Sequence, residues 1–242
     1  SPARPAGLQV GYYPGCSLHG TALDFGISTR LVAGELGLEL VEPEGWVCCG
    51  TSPAHGTDHK LATLLPLRNL ALFQAAGQDS VMMPCASCYL RSRTAIHDIG
   101  REPELRAAVT AEAGYALDRQ VSVEHLLETL EGRVGLKRIV ARVRRSLEGL
   151  RVVCYYGCLL TRPPQILQQP HPEYPRSMDR LVEAIGVQPL DWSYKTECCG
   201  GSLGLSQLPL SLELCERILR NAREVGAEAV IVACPLCHAN LD

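Results

Sequence analysis

The sequence predicts an α/β fold: two pseudo-symmetric tandem repeats, each a small parallel sheet flanked by helices. Three observations carry this. A five-cysteine pattern is written twice, as Cys16, Cys48-Cys49-Gly50 and Cys85-x-x-Cys88, and again as Cys158, Cys198-Cys199-Gly200 and Cys234-x-x-Cys237. Each copy opens on a short apolar strand that runs into glycine and cysteine, VGYYPGC ending at Cys16 and VVCYYGC ending at Cys158. Each closes on another that delivers the C-x-x-C, DSVMMPCASC ending at Cys88 and EAVIVACPLC ending at Cys237. Self-similarity on this scale is a property of the fold, and strands alternating with helices imply parallel units.

Ser1 to Gly7 reads as a loose arm. The first domain is expected over residues 1–130, a helical linker over 131–150, and the second domain over 151–242. Ahead of each C-x-x-C lies an amphipathic helical stretch, Leu61 to Gly77 and Leu208 to Gly226, with glycine as its stop signal. Pro66 and Pro209 are expected in the first turns, where a missing N–H costs nothing. After Cys88 the sequence VSVEHLLETL predicts a strand and helix that finish the first unit. Only HANLD follows Cys237, so the second unit is expected to be incomplete at its C-terminus. In parallel sheets, sites form beyond the carboxyl ends of the strands, where the strands entering Cys16, Cys85, Cys158 and Cys234 all place a thiol. Cys154 aligns with Tyr12 and Cys215 with Pro66; lacking thiol counterparts, both are read as small buried hydrophobes.

A length of 242 residues allows one large domain or two small ones, and a net charge of -3 gives no reason to expect nucleic acid. No apolar run reaches the length that a bilayer demands, so no direct membrane insertion is expected. The opening SPARPAGLQV has neither a charged nor an apolar leader region and lacks Met, which predicts no secretory signal and a trimmed start. Twelve cysteines in a chain with its own core and no export signal point to metal or redox work in a reducing, cytoplasmic compartment, not to disulfide stapling.

Structural zinc takes four ligands, and an ordinary cubane iron–sulfur cluster takes four cysteines. Each copy supplies five, two of them adjacent. Neighbouring side chains on an extended strand point to opposite faces, so the chain must bend at Cys48-Cys49 and Cys198-Cys199, and Gly50 and Gly200-Gly201 supply that freedom. A centre with several irons can use a fifth thiolate, for instance as a bridge.

This pattern resembles the cysteine-rich CCG domain, and two in tandem resemble the B-type subunits of heterodisulfide reductase and their bacterial relatives. The resemblance covers nearly the whole chain. It implies that Cys16, Cys48, Cys49, Cys85 and Cys88 hold one noncubane [4Fe-4S] cluster, and that Cys158, Cys198, Cys199, Cys234 and Cys237 hold the other. Some members of the family carry zinc in the first motif, and zinc stays possible there. The implied reaction splits a disulfide between the two clusters, each sulfur taken by an iron, and electrons arriving singly release two thiols. With no ferredoxin-type cysteine run and no dinucleotide fingerprint, the chain is expected to need a ferredoxin-like iron–sulfur subunit and a flavoprotein subunit as partners, and a small disulfide or thiol as substrate.

Two other functions stand beside disulfide reduction or formation: an electron-relay subunit of a succinate, glycolate or lactate oxidoreductase complex, and a zinc-stabilised assembly module. His19, His55, His59 and His238 lie near cluster cysteines in sequence. Ligation is disfavoured with five thiols present, which leaves proton donation by His19 or His55, or plain hydrogen bonding. Lys195, Arg91 and Arg93 either stabilise an anionic centre and guide an acidic substrate, or are solvated. Pro84 and Pro235 shape the C-x-x-C turns. The basic run Arg133, Lys137, Arg138, Arg142, Arg144 and Arg145 is either a solvated helix face or a docking surface for an acidic partner.

Overall fold

The computed structural model describes residues 8–51, 53–204 and 206–242, without the Pro53 side chain. The arm expected at Ser1 to Gly7 lies outside the described residues. The chain divides into two compact units at Thr129/Leu130.

The first unit runs β1 (Leu8–Tyr12), α1 (Gly15–Leu18), α2 (Leu23–Glu35), β2 (Leu38–Val41), α3 (Pro53–Thr57), α4 (His59–Ala75), β3 (Ser80–Met83), α5 (Ala86–Arg101), α6 (Pro103–Ala113), β4 (Ser122–His125) and α7 (Leu126–Glu128). Its sheet is parallel throughout, in the order β2-β1-β3-β4. The strand and helix predicted from VSVEHLLETL are β4 and α7. Val10, Tyr12, Leu18, Leu38 and Met82 form part of its core.

The second unit holds α8 (Leu136–Val140), β5 (Arg151–Tyr155), α9 (Pro164–Leu167), α10 (Ser177–Ala184), β6 (Gln188–Pro189), α11 (Leu208–Glu224), β7 (Ala229–Val232) and α12 (Pro235–Leu241). Its described strands form a parallel sheet in the order β6-β5-β7. Residues 131–150, read from the sequence as a helical linker, carry α8 and group with this unit, where Glu131 pairs with Arg180 of α10. A π-helical turn over Thr129–Val134 precedes α8, and Lys137, Arg142, Arg144 and Arg145 of the basic run are exposed.

Both sheets switch direction at the same place. The chain crosses from β1 to β2 on one side and on to β3 on the other, and likewise from β5 to β6 and β7. The crevice between β1 and β3, or β5 and β7, is therefore where a parallel sheet offers a site. All four strands that lead into cysteine flank these crevices.

One helix start differs from the sequence expectation. Pro209 sits in the first turn of α11 as anticipated, but Pro66 lies well inside α4. The side chain of Asp58 accepts the Leu61 N–H at 2.9 Å and caps α4 two turns ahead of the proline. The buried Pro66 then costs the helix one internal hydrogen bond without ending it.

Candidate metal centres

In each unit helix geometry brings together the two cysteines of the C-x-x-C. β3 passes through Pro84 to Cys85, the N-cap of α5, and Cys88 follows one turn later on the same helix face. β7 leads to Cys234, the N-cap of α12, with Pro235 in the first turn and Cys237 one turn on. Cys16 lies in α1, just beyond β1, and Cys158 opens a short 3-10 turn just beyond β5.

The adjacent cysteines complete each group. Gly50 and Gly200 adopt φ of +77° and +72°, the left-handed region that lets the chain bend after the pair. The outcome is the same split twice. Cys48 and Cys198 are exposed and Cys49 and Cys199 buried. Cys48 faces Cys16, sulfur to sulfur, at 3.9 Å. Cys49 hydrogen-bonds Cys88, which in turn bonds Cys85. In the second unit Cys158 bonds Cys198, while Cys199 lies 3.5 Å from Cys237, which bonds Cys234. Each unit thus has an outer pair and a buried inner trio. No disulfide joins any of the twelve cysteines, and among the described residues no three His, Cys, Asp or Glu side chains are grouped as ligands of one metal ion.

Crowding sets the acidities. Thiol donation from Cys48 and Cys88 holds Cys49 far below the ordinary thiol range, and Cys48 and Cys88 are pushed up in exchange. Donation from Cys237 lowers Cys199, and donation from Cys158 lowers Cys198. The Gly200 N–H adds a 3.3 Å bond to the Cys198 sulfur. Each unit therefore gathers its thiols so closely that some ionise at the expense of others, the condition a soft metal exploits.

Sequence reasoning missed the walls of these sites. Gly15 (φ +71°) and Gly157 (φ +70°) precede Cys16 and Cys158, and a Cβ there would lie 2.9 Å from the Cys88 sulfur and 3.2 Å from the Cys237 sulfur. Tyr13 and Tyr155, both buried, stand against the thiols: burial, then charge on Cys88, Cys49, Cys48 and Cys16, drives the Tyr13 phenol far up, and Tyr155 is raised in the same way by burial and by Cys237, Cys199 and Cys158. The signal was present in the sequence, since YYPGC and CYYGC align tyrosine with tyrosine and glycine with glycine. His125 went unnoticed as well. Its Nδ1 accepts the Leu127 N–H and its Nε2 lies 3.1 Å from the Pro84 carbonyl, bracing the approach to Cys85.

The polar candidates fall elsewhere. His19 is half exposed, packs edge-on to Trp46 and lies 3.8 Å from Glu42. His55 sits on α3, its charge disfavoured by burial and by Arg91. His59 faces Glu102 at 3.5 Å, and His238 lies on α12. Arg91 is partly desolvated within reach of the Cys49 charge, whereas Arg93 lies over the Tyr89 ring. Lys195 is neither solvated nor open to a substrate. It is 1% exposed, paired with Asp179, and 4.6 Å from the Tyr174 ring. Cys154 is fully buried in β5, and burial, with charge on Asp179, pushes its thiol up to about 12. Cys215 is buried on α11 and donates to the Cys199 carbonyl at 3.3 Å. The reading of both as buried small residues holds, with a hydrogen bond added for Cys215.

Two parallel α/β units, each collecting five thiols at its crevice, define a tandem cysteine-rich protein of the metal-binding class. The model of the family described as "Cysteine-rich domain" (CCG) matches residues 10–91 and again 152–242. The chain belongs to this family, in two copies. It is 30% identical to the 8-methylmenaquinol:fumarate reductase membrane anchor subunit of Wolinella succinogenes, over 97% of this chain and 82% of that protein. It is 30% identical to the B-type subunit of the ferredoxin/F(420)H(2)-dependent CoB-CoM heterodisulfide reductase of Methanosarcina acetivorans, over 89% and 73%. A protein of Archaeoglobus profundus, named for its likeness to the same heterodisulfide reductase subunit, is 28% identical over 97% and 81%. Among solved structures, a hypothetical protein from Helicobacter pylori matches with a TM-score of 0.72 at 14% identity, over 99% of this chain and 43% of that one, which is a likeness of fold. Among the described residues no helix is long and apolar enough to cross a membrane.

Proposed function

We propose that the chain is an iron–sulfur oxidoreductase subunit that reduces, or forms, a small disulfide, with one noncubane [4Fe-4S] cluster in each unit. Cys16, Cys48, Cys49, Cys85 and Cys88 would hold the first cluster, and Cys158, Cys198, Cys199, Cys234 and Cys237 the second. The carrying observation is the outer pair and inner trio of thiols, formed twice by different sequence at the same topological crevice. An all-thiolate set fits iron–sulfur chemistry, and five thiols per unit exceed what one tetrahedral zinc uses, which favours a multi-atom centre. The named relatives, subunits of heterodisulfide and fumarate reductases, support an electron-transfer role.

When bound, such clusters supply single electrons, two of which with two protons convert a disulfide to two thiols. The chain's own contribution is burial of the inner trio and exposure of the outer pair, so that a small thiol or disulfide meets each site from the Cys48 or Cys198 side. A ferredoxin-like iron–sulfur subunit and a flavoprotein would deliver the electrons. A second reading, an electron relay within a reductase complex, is favoured by the match to the fumarate reductase subunit. Candidate disulfides added to the reduced complex decide between them. Oxidation of the clusters with a changed electron paramagnetic resonance spectrum is expected; an unchanged spectrum selects the relay.

A further inference from the structure

Each pair of adjacent cysteines sits on a loop that no strand ladder holds. Such a loop needs a tether if both thiols are to stay against the other three, and the two units use the same one. The Tyr13 hydroxyl donates at 2.7 Å to the carbonyl of Val47, the residue immediately before Cys48. The Tyr155 hydroxyl donates at 2.6 Å to the carbonyl of Glu197, the residue immediately before Cys198. The ring of Tyr13 passes beside the bare Cα of Gly15, with the Cys88 sulfur also in contact there, and Tyr155 lies in the same way beside Gly157 and the Cys237 sulfur. The chain's two tryptophans pack on these rings, Trp46 at 5.4 Å from Tyr13 and Trp192 at 6.2 Å from Tyr155. Little else about the two loops is shared.

We propose that Tyr13 and Tyr155 are the positioning residues of the two sites: each phenol ties the strand that carries the first cysteine to the loop that carries the adjacent pair, holding the five sulfurs in one group. The proposal rests on the reading of these thiols as a metal centre. The tethers are unequal in redundancy. Val47 is also held by Asn69, whose side chain accepts its N–H at 2.8 Å and donates to its carbonyl at 2.9 Å, so its carbonyl keeps a partner without Tyr13. Loss of the Tyr155 hydroxyl strips Glu197 of the one donor to its carbonyl found among the described residues. The second site is therefore the more dependent on its tyrosine.

Tyr155→Phe and Tyr13→Phe keep the ring and remove the tether. Tyr12→Phe is the control, since the Tyr12 hydroxyl is buried with no hydrogen-bond partner among the described residues. In the full chain, purified without oxygen, iron release to a chelator is followed together with the resonance spectrum. Tyr155→Phe is expected to speed release of half the iron about tenfold, the effect of one buried acceptor left bare, with altered signals from one cluster only. Tyr13→Phe should affect the other half by about threefold, and Tyr12→Phe neither. Wild-type release and spectra in both site variants, or an equal effect of Tyr12→Phe, would overturn the proposal. If the wild-type chain itself carries no iron, the cluster reading fails separately. The tether is then read in the metal-free chain from alkylation of Cys199 and Cys49, where about tenfold faster reaction of Cys199 in Tyr155→Phe upholds it and unchanged rates refute it.

Discussion

In the first unit the chain entering Cys48 is gripped by the Asn69 amide, and the chain entering Cys85 by the imidazole of His125 on β4. In the second unit the described sheet has no strand in the place of β4, and the grip comes from ions. The Lys195 ammonium pairs with Asp179, which also accepts from the Tyr156 hydroxyl at 2.7 Å. The Lys195 carbonyl receives the N–H groups of Tyr156 and Gly157 at 2.8 and 3.1 Å, just ahead of Cys158. Asn240 and Ser211 then hold the Cys199–Gly200 carbonyls. The same thiol arrangement is thus reached with neutral clamps in one unit and a buried ion pair in the other. A neutral clamp loses one or two modest hydrogen bonds when broken. A buried ion pair, broken on one side, leaves a charge without a partner in a dry interior.

The largest expected effect follows from that asymmetry. Lys195→Ala should destabilise the second unit by about 3–5 kcal/mol through the stranded Asp179, and denaturant unfolding followed by Trp192 fluorescence should show it. Asn69→Ala, the neutral counterpart, should cost about 2 kcal/mol in the first unit and leave Trp192 unmoved; equal costs would erase the contrast. Gly157→Ala comes next. Gly157 sits at φ 70°, ψ 177°, a region open essentially to glycine alone, so the change should cost about 1–3 kcal/mol and release metal from the second site only. The smallest effect concerns pH. Burial, with Asp179 adding and Lys195 opposing, lifts the Cys154 thiol from its ordinary 9.0 to about 12. Below pH 9 the thiol is neutral whether folded or unfolded, and nothing is lost. Between about 9 and 12 the unfolded chain releases a proton that the folded chain keeps, so stability falls as pH rises. Cys154→Ala should flatten that limb in a pH series of unfolding midpoints. Its counterpart Tyr12, lifted from 10.0 to about 12, should begin its decline one pH unit later, in the first unit.

The sheet, its parallel strands and the convergence of the thiols were legible because they are written in period and repetition. The apolar runs ending at Cys16, Cys85, Cys158 and Cys234 name their own strands, and the doubled Cys-Cys-Gly names the bend. The start of α4 was misread because Pro66 is a stronger local signal than Asp58, though a capped helix can absorb one buried proline. Lys195 looked like a free cation because Asp179, its partner, lies across a strand–helix connection that no spacing rule predicts. Tyr13 and Tyr155 were hidden by their surroundings: beside ten cysteines, a tyrosine that touches only a carbonyl carries no chemical signature of its own.

The central claim is that ten thiols, five per unit, enclose two multi-iron centres. Quantifying iron, acid-labile sulfide and zinc in the full chain purified without oxygen tests it most directly. About eight irons with matching sulfide are predicted; one zinc in each unit, with neither iron nor sulfide, would contradict it.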